Sequence, residues 1–175
     1  MARVPRSWML LPLVLLIATA RQAGAQLGCS GATCTVEISM PVTDVLRLSL
    51  SASSIALGSP DDADYQAGYK DVAGAAVNVT VKANRSFVVQ LGGIAGSFSY
   101  AGTLTNPVKP SSDLRWAISA AGLASTTNHM GTSATLLASP AAFVTQPLFL
   151  RTLWSFATDV PGTYSLAISF TLSAP

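Results

Sequence analysis

Apolar and polar side chains alternate one by one along most of this sequence, and this alternation restricts the possible folds more than any other feature. In a strand such residues gather on one face, whereas a helix scatters them around its circumference. The segment 163–172 is therefore predicted to be a half-buried β-strand. Its apolar residues all share one parity: Tyr164, Leu166, Ile168, Phe170 and Leu172.

The same alternation recurs in shorter runs that are separated by turn residues. The predicted strands are 35–40, 46–50, 77–82, 87–91, 97–100, 114–119 and 148–156. Asp159-Val160-Pro161-Gly162 predicts a tight turn that joins the run 148–157 to the last strand as a hairpin. No segment after the N-terminal region keeps a helical period. We expect an all-β protein, an antiparallel Ig-like β-sandwich of about nine strands, with a closed barrel as the alternative.

The N-terminal segment has the features of a secretory signal peptide. Arg3 and Arg6 precede an uncharged apolar run over 9–20, and Ala23-Gly24-Ala25 places small residues at the cleavage site. Cleavage is predicted between Ala25 and Gln26. We expect residues 1–25 to be the signal peptide and 26–175 to be a single β-sandwich domain without a transmembrane anchor. The product is expected to be exported to the periplasm, the cell surface or the medium.

Charge is scarce in this chain, since 50% of its residues are hydrophobic and only 10% are charged. Removal of residues 1–25 leaves seven basic and eight acidic residues, a net charge of −1. This balance gives no reason to expect a nucleic-acid partner or attraction to an anionic membrane. No cofactor is expected either.

Two cysteines, Cys29 and Cys34, follow the predicted cleavage site. A four-residue spacer lets them meet, and in an oxidising compartment we expect a disulfide bond between them. Redox activity is the alternative, but the spacing is not Cys-x-x-Cys and no helix is predicted beside the pair.

Three aspartates, Asp61, Asp62 and Asp64, lie close together before Tyr65. Carboxylate oxygens are calcium ligands, so these residues are a candidate calcium site in a loop at the end of the sandwich. The competing interpretation, which we favour, is a solvated turn capped by the aspartate side chains, because the full calcium-loop pattern is missing.

Aromatic side chains suggest a carbohydrate-binding face as a second function. Trp116 and Trp154 share the parity of the apolar side of their strands, so we expect them in the core. Tyr65 and Tyr69 flank Gly68 in a predicted loop or edge strand and are the candidate ligand-binding residues.

One histidine, His129, lies in a polar loop, and Asp113 or Asp159 could orient it. A hydrolase would also need a serine brought into contact with it, and no Gly-x-Ser-x-Gly elbow is present. We therefore expect no enzymatic activity and keep a small secreted hydrolase only as the third hypothesis.

Three blocks from Ala75 onward, 77–87, 113–116 and 154–165, resemble secreted bacterial surface proteins of the WxL-like and pilin-like β-sandwich type. This resemblance implies a secreted structural or adhesive module and supplies no catalytic residues.

The first functional hypothesis is accordingly a noncatalytic structural or adhesive subunit of the cell surface or of a pilus-like assembly. Few charged residues protect the strand edges, so such edges are expected to pair with another copy or with other envelope proteins. A carbohydrate-binding module, with glycans as partners, remains the alternative.

Overall fold

Ten strands and one short helix make up the part of the chain that the computed structural model describes, residues 38–105 and 107–175. Two 3₁₀ turns cover Ser111–Asp113 and Ala121–Ala124. In chain order the elements are β1 (Leu46–Leu50), α1 (Asp62–Ala67), β2 (Tyr69–Asp71), β3 (Val77–Ala83), β4 (Phe87–Gly93), β5 (Ser99–Ala101), β6 (Leu114–Ala117), β7 (Ala134–Ser139), β8 (Ala142–Leu153), β9 (Thr163–Ser165) and β10 (Ile168–Ser173).

The strands form two main sheets, and every pairing is antiparallel. The larger sheet has the order β1-β3-β8, and β8 also pairs with β2 and β6. The smaller sheet has the order β10-β4-β7, and β9 pairs with β5 beside it. The prediction of an all-β sandwich is therefore confirmed.

The core lies between the inner faces of these two sheets, as the alternation of apolar residues requires. In β3 the three valines are buried, while Asn78 and Lys82, which have the opposite parity, are exposed. A strand with one solvent-exposed face and one buried face produces this pattern. The other buried side chains that meet these valines come mainly from β4, β6 and β8: Phe87, Val89, Leu91, Leu114, Trp116, Leu148 and Leu150.

Part of the strand order resembles that of an immunoglobulin-like sandwich. The run β1-β3-β8-β6 corresponds to strands A, B, E and D, and the pair of β4 and β10 corresponds to C and F. The hydroxyl of Tyr164, in β9, donates to the Val160 carbonyl oxygen and accepts from the Val160 N–H, each at 3.0 Å. Such a tyrosine corner is a hallmark of this fold at the connection between E and F.

The predicted hairpin between the run 148–157 and the last strand is wrong. β8 pairs with β3, β2 and β6, whereas β9 and β10 pair with β5 and β4. The residues 159–162 therefore carry the chain from one sheet to the other, and the tyrosine corner fixes this crossing. The last predicted strand is interrupted at Leu166 and Ala167, which separate β9 from β10.

Two further expectations also need correction. Residues 38–40 alternate as a strand would, but no strand is formed there. The segment 62–67 forms the helix α1, although no helical period of apolar residues predicts a helix there. No helix in the described ranges is both long and apolar enough to cross a membrane.

Candidate functional site

A groove of about 720 Å³ opens along one side of the sandwich. One wall is the segment 50–60, which begins at the end of β1, and the other is the segment 162–168 of β9 and β10. Buried core residues, among them Phe98, Leu114 and Leu150, lie at its base. The groove has the size of a typical ligand cleft, but its walls are extended backbone rather than a ring of functional groups.

The start of β10, at Ile168, borders this groove. On one side β10 pairs with β4, and in the described part of the chain no strand pairs with its other side. In a complete immunoglobulin sandwich strand G occupies this position beside strand F. The apolar side chains along the edge, including Ile168, Phe170 and Leu172, are consequently only half-buried.

A buried cation also contacts the groove. The Lys109 side chain is 2% exposed, and its ammonium group lies 2.9 Å from Asp159 Oδ1, 3.2 Å from Asp113 Oδ2 and 2.7 Å from the Leu153 carbonyl oxygen. Asp159 is itself 4% exposed and accepts a second hydrogen bond from the Ser155 N–H at 2.8 Å. Each charge in this cluster therefore has a partner, as burial of ions demands.

Aromatic rings surround this ion cluster. The Lys109 ammonium lies 4.4 Å from the centre of the Trp154 ring, a cation–π distance. The Tyr164 ring meets the Trp154 ring edge-on, with ring centres 6.0 Å apart. The Tyr65 ring also meets the Trp154 ring edge-on, at the same distance between centres. Burial raises the pKa of both the Tyr65 and the Tyr164 hydroxyls. No sequence pattern pointed to Lys109, because its carboxylate partners lie 4 and 50 residues away.

The three candidate calcium ligands have partners within the chain. Asp61 and Asp64 form a capping box at the start of α1, each carboxylate accepting the other residue's N–H. Asp62 accepts from Gln66, and Asp64 also binds the Lys70 ammonium. Mainly through its hydrogen bond with Lys70, the pKa of Asp64 is lowered. Across the described ranges, no three His, Cys, Asp or Glu side chains are grouped so that they could hold a metal ion.

The two candidate glycan-binding tyrosines are separated by the fold. Tyr65 is half-buried on α1 and stacks on Phe156, with ring centres 4.6 Å apart. Tyr69 lies on β2, is exposed, and covers the Arg151 guanidinium at 3.7 Å. The structure therefore does not bring them together as one platform. Of the two tryptophans expected in the core, Trp116 is buried and Trp154 is half-buried at the groove.

His129 lies opposite Arg115 in an isolated β-bridge, and its Nδ1 atom accepts a hydrogen bond from the Gly131 N–H. The two aspartates that could have oriented it, Asp113 and Asp159, bind Lys109 instead. The predicted signal-peptide cleavage site between Ala25 and Gln26 and the predicted disulfide between Cys29 and Cys34 lie outside the described residues.

Neither a protein-family model nor a curated protein matches this sequence. The geometry of the described residues therefore carries the functional argument.

Proposed function

We propose that this protein is a noncatalytic, exported structural or adhesive subunit of the cell envelope that joins its partners by strand pairing. The observation that carries the proposal is the outer edge of β10, which lacks a strand partner in the described part of the chain and whose first residue, Ile168, borders an apolar groove. An added strand would satisfy the open backbone groups and cover the half-buried side chains behind them.

The segment before β1 has the properties of such an added strand. Ile38, Met40 and Val42 are 89, 80 and 74% exposed, although all three are large and apolar. In an extended chain they lie on one face, as a strand that covers a groove requires. Pro41 has the opposite parity to these three residues. As a proline it lacks a backbone N–H, which an edge strand tolerates where that position faces away from the paired strand. A second copy therefore supplies a fitting occupant for the groove.

Export is the second part of the proposal. The signal peptide expected over residues 1–25 would deliver the chain to an oxidising compartment, where the expected Cys29–Cys34 disulfide can form. The resemblance of the segments 77–87 and 154–165 to secreted bacterial surface proteins of the WxL-like and pilin-like type agrees with this location.

Self-assembly can be measured directly on the full-length chain, expressed so that export and processing take place. Light scattering after size-exclusion chromatography is expected to show dimers and longer ladders that grow with protein concentration. A double substitution, Ile38→Asp with Met40→Asp, should leave monomers, because it puts charges on the face that enters the groove. The matched control Ser39→Asp, of opposite parity, should still assemble.

A synthetic peptide of residues 36–44 adds a competition test. It should shorten the ladders, whereas a scrambled peptide of the same composition should not. A monomer at every concentration, or a double variant that assembles as well as the unsubstituted chain, would show that β10 does not receive this strand.

A further inference from the structure

Positive charge is distributed unevenly over the surface of this protein. All seven basic residues that follow position 25 lie in the described ranges. Four of them form salt bridges with aspartates, namely Lys70, Arg85, Lys109 and Arg151. Within those same ranges, the remaining three, Arg47, Lys82 and Arg115, have no carboxylate partner.

These three cations share one face of the larger sheet. Arg47 on β1 lies directly opposite Lys82 on β3, and Arg115 on β6 lies directly opposite Arg151 on β8. Cross-strand partners project to the same side. The neighbours of opposite parity, such as Val81, point into the core, so the cations lie on the outer face.

The end of this face near Arg115 is a row of charged side chains across four chain segments. Asp71 lies opposite Arg151, Arg151 opposite Arg115, and Arg115 opposite His129. Asp71 holds Arg151 through two hydrogen bonds of 2.6 and 2.8 Å and raises its pKa. Two arginines and a histidine thus share a single carboxylate.

Like charges directly opposite one another in a sheet destabilise it. The outer face contains two such pairs, Arg47 with Lys82 and Arg115 with Arg151. An anionic partner would relieve both repulsions, so its binding is favoured by more than the new contacts alone. The net charge of the chain does not reveal this local excess of positive charge, because most of the carboxylates lie outside this face.

The two cationic pairs are separated along β8. Lys82 lies opposite Phe143, and Arg151 is eight residues further along the same strand, a distance of about 26 Å at roughly 3.3 Å per residue. Between them the face presents Thr80 and Thr145, which are hydrogen-bonded across the sheet at 3.0 Å, together with Pro147 and Phe149 of β8. The partner must therefore be long, anionic and able to bond with hydroxyl groups.

We infer that this outer face, defined by Arg47, Lys82, Arg115 and Arg151 and called here the cationic face, binds an acidic polysaccharide. A carboxylated or sulfated sugar chain has charges at intervals that can reach both pairs, and its hydroxyl groups match the threonines between them. The inference does not depend on self-assembly through β10.

Nucleic acid fits this surface less well. Proteins that bind single strands offer aromatic rings on which bases stack. Two aromatic rings of this face already contact cations, since Tyr69 covers Arg151 at 3.7 Å and Phe143 lies 5.0 Å from the Lys82 ammonium.

The test measures binding of the full-length chain to immobilised heparin and polygalacturonate, with neutral dextran as the reference. Both acidic polymers are expected to bind at low salt and to be released as salt screens the charges. The substitutions Arg47→Gln with Lys82→Gln, and separately Arg115→Gln, should each weaken binding about three- to tenfold. The matched control is Lys70→Gln, which removes one positive charge from β2 at a position of opposite parity to Tyr69 and Asp71 and should leave binding unchanged.

Three results would overturn the inference. The first is the absence of binding to both acidic polymers at low salt. The second is binding that the face substitutions leave unchanged, or that Lys70→Gln weakens equally. The third is tighter binding to a single-stranded DNA oligonucleotide than to either polysaccharide. Cooperative unfolding of every variant near the midpoint of the unsubstituted chain would show that losses come from the face and not from misfolding.

Discussion

Positively charged side chains occupy two opposite kinds of environment in this protein. Lys109 is buried beside the groove, where two aspartates, a carbonyl oxygen and an aromatic ring surround its ammonium group. On the cationic face, Arg47 and Lys82 are exposed and Arg115 is half-buried, and none of the three has a carboxylate partner in the described ranges. The buried ammonium group of Lys109 is fully paired with anionic partners, whereas the three cations of the cationic face remain available to a ligand.

This difference follows from solvation. A buried ammonium group has lost its water and would be very costly without its anions, whereas an exposed guanidinium or ammonium keeps its hydration and needs no partner. The Lys109 cluster can therefore serve the fold but is closed to outside ligands, while the unpaired cations of the cationic face repel one another slightly and can bind such ligands. The two regions should respond oppositely to substitution.

The largest effect is expected at Lys109. Substitution Lys109→Met keeps most of the side-chain volume but leaves Asp159 buried without its cation, which should lower the free energy of unfolding by about 3–5 kcal/mol. Urea unfolding measures this loss. The control Lys82→Met, on the cationic face, should change stability by less than about 0.5 kcal/mol. Equal losses at the two positions would remove the contrast between the regions.

A smaller loss is expected at the tyrosine corner next to the same cluster. Tyr164→Phe removes the hydroxyl that both donates to and accepts from the Val160 backbone. Because the partners are partly buried, stability should fall by about 1–2 kcal/mol in urea unfolding. The control Tyr69→Phe should have almost no effect, since the contact of Tyr69 with Arg151 is made by its ring. A corner variant as stable as the unsubstituted chain would mean that the connection between the sheets is held by other contacts.

The sequence predicts the central strands well because there the local signal and the tertiary requirement coincide. In β3 and β4, valine, phenylalanine and leucine alternate with polar residues, and the burial of these strands follows that pattern. The first part of β8 was missed, since Pro147 interrupts its pattern. Over 142–148 β3 is its only strand partner in the described ranges, so a proline is tolerated there. Helix α1 was missed because its capping box, rather than an apolar period, defines it.

The candidate site was less predictable than the strands. Lys109 lies in sequence between Pro107 and Pro110, and nothing local distinguishes it from a surface lysine. Its burial results from the crossing at 159–162, which was predicted as a hairpin. The cationic face likewise depends on strand register, because Arg115 and Arg151 become neighbours only when β6 pairs with β8. Pairings between residues far apart in sequence therefore set both sites.

The ion pair between Asp64 and Lys70 is intermediate between the two regions, and pH can test it. The hydrogen bond with Lys70 lowers the pKa of Asp64 below 3.8, and the same bond raises the pKa of Lys70 above 10.5. The stabilisation from Asp64 is thus present above its unfolded pKa and is lost as pH falls through the lowered value. That from Lys70 is present below its unfolded pKa and is lost as pH rises through the raised value.

Substitution Lys70→Met should therefore raise the pKa of Asp64 towards its ordinary value, as carboxyl chemical shifts in an NMR titration would report. The capping contact with Asp61 remains in this variant, so part of the lowering should persist. An unchanged Asp64 titration would mean that the pair does not form in solution. Arg115→Gln provides the control, since Arg115 lies on the cationic face.

The smallest effect, and one of opposite sign, is expected from charge reversal on the cationic face. Arg47→Glu replaces a like-charge pair with an attractive one opposite Lys82, so the free energy of unfolding should rise by about 0.5 kcal/mol or less. The gain should shrink as salt screens the exposed charges, which urea unfolding at low and high ionic strength would reveal. The control Arg47→Gln should gain less, because it only removes the repulsion. If reversal destabilised the protein, Arg47 would already have an anionic partner, and the distinction between a satisfied cluster and an available face would fail on this side of the sheet.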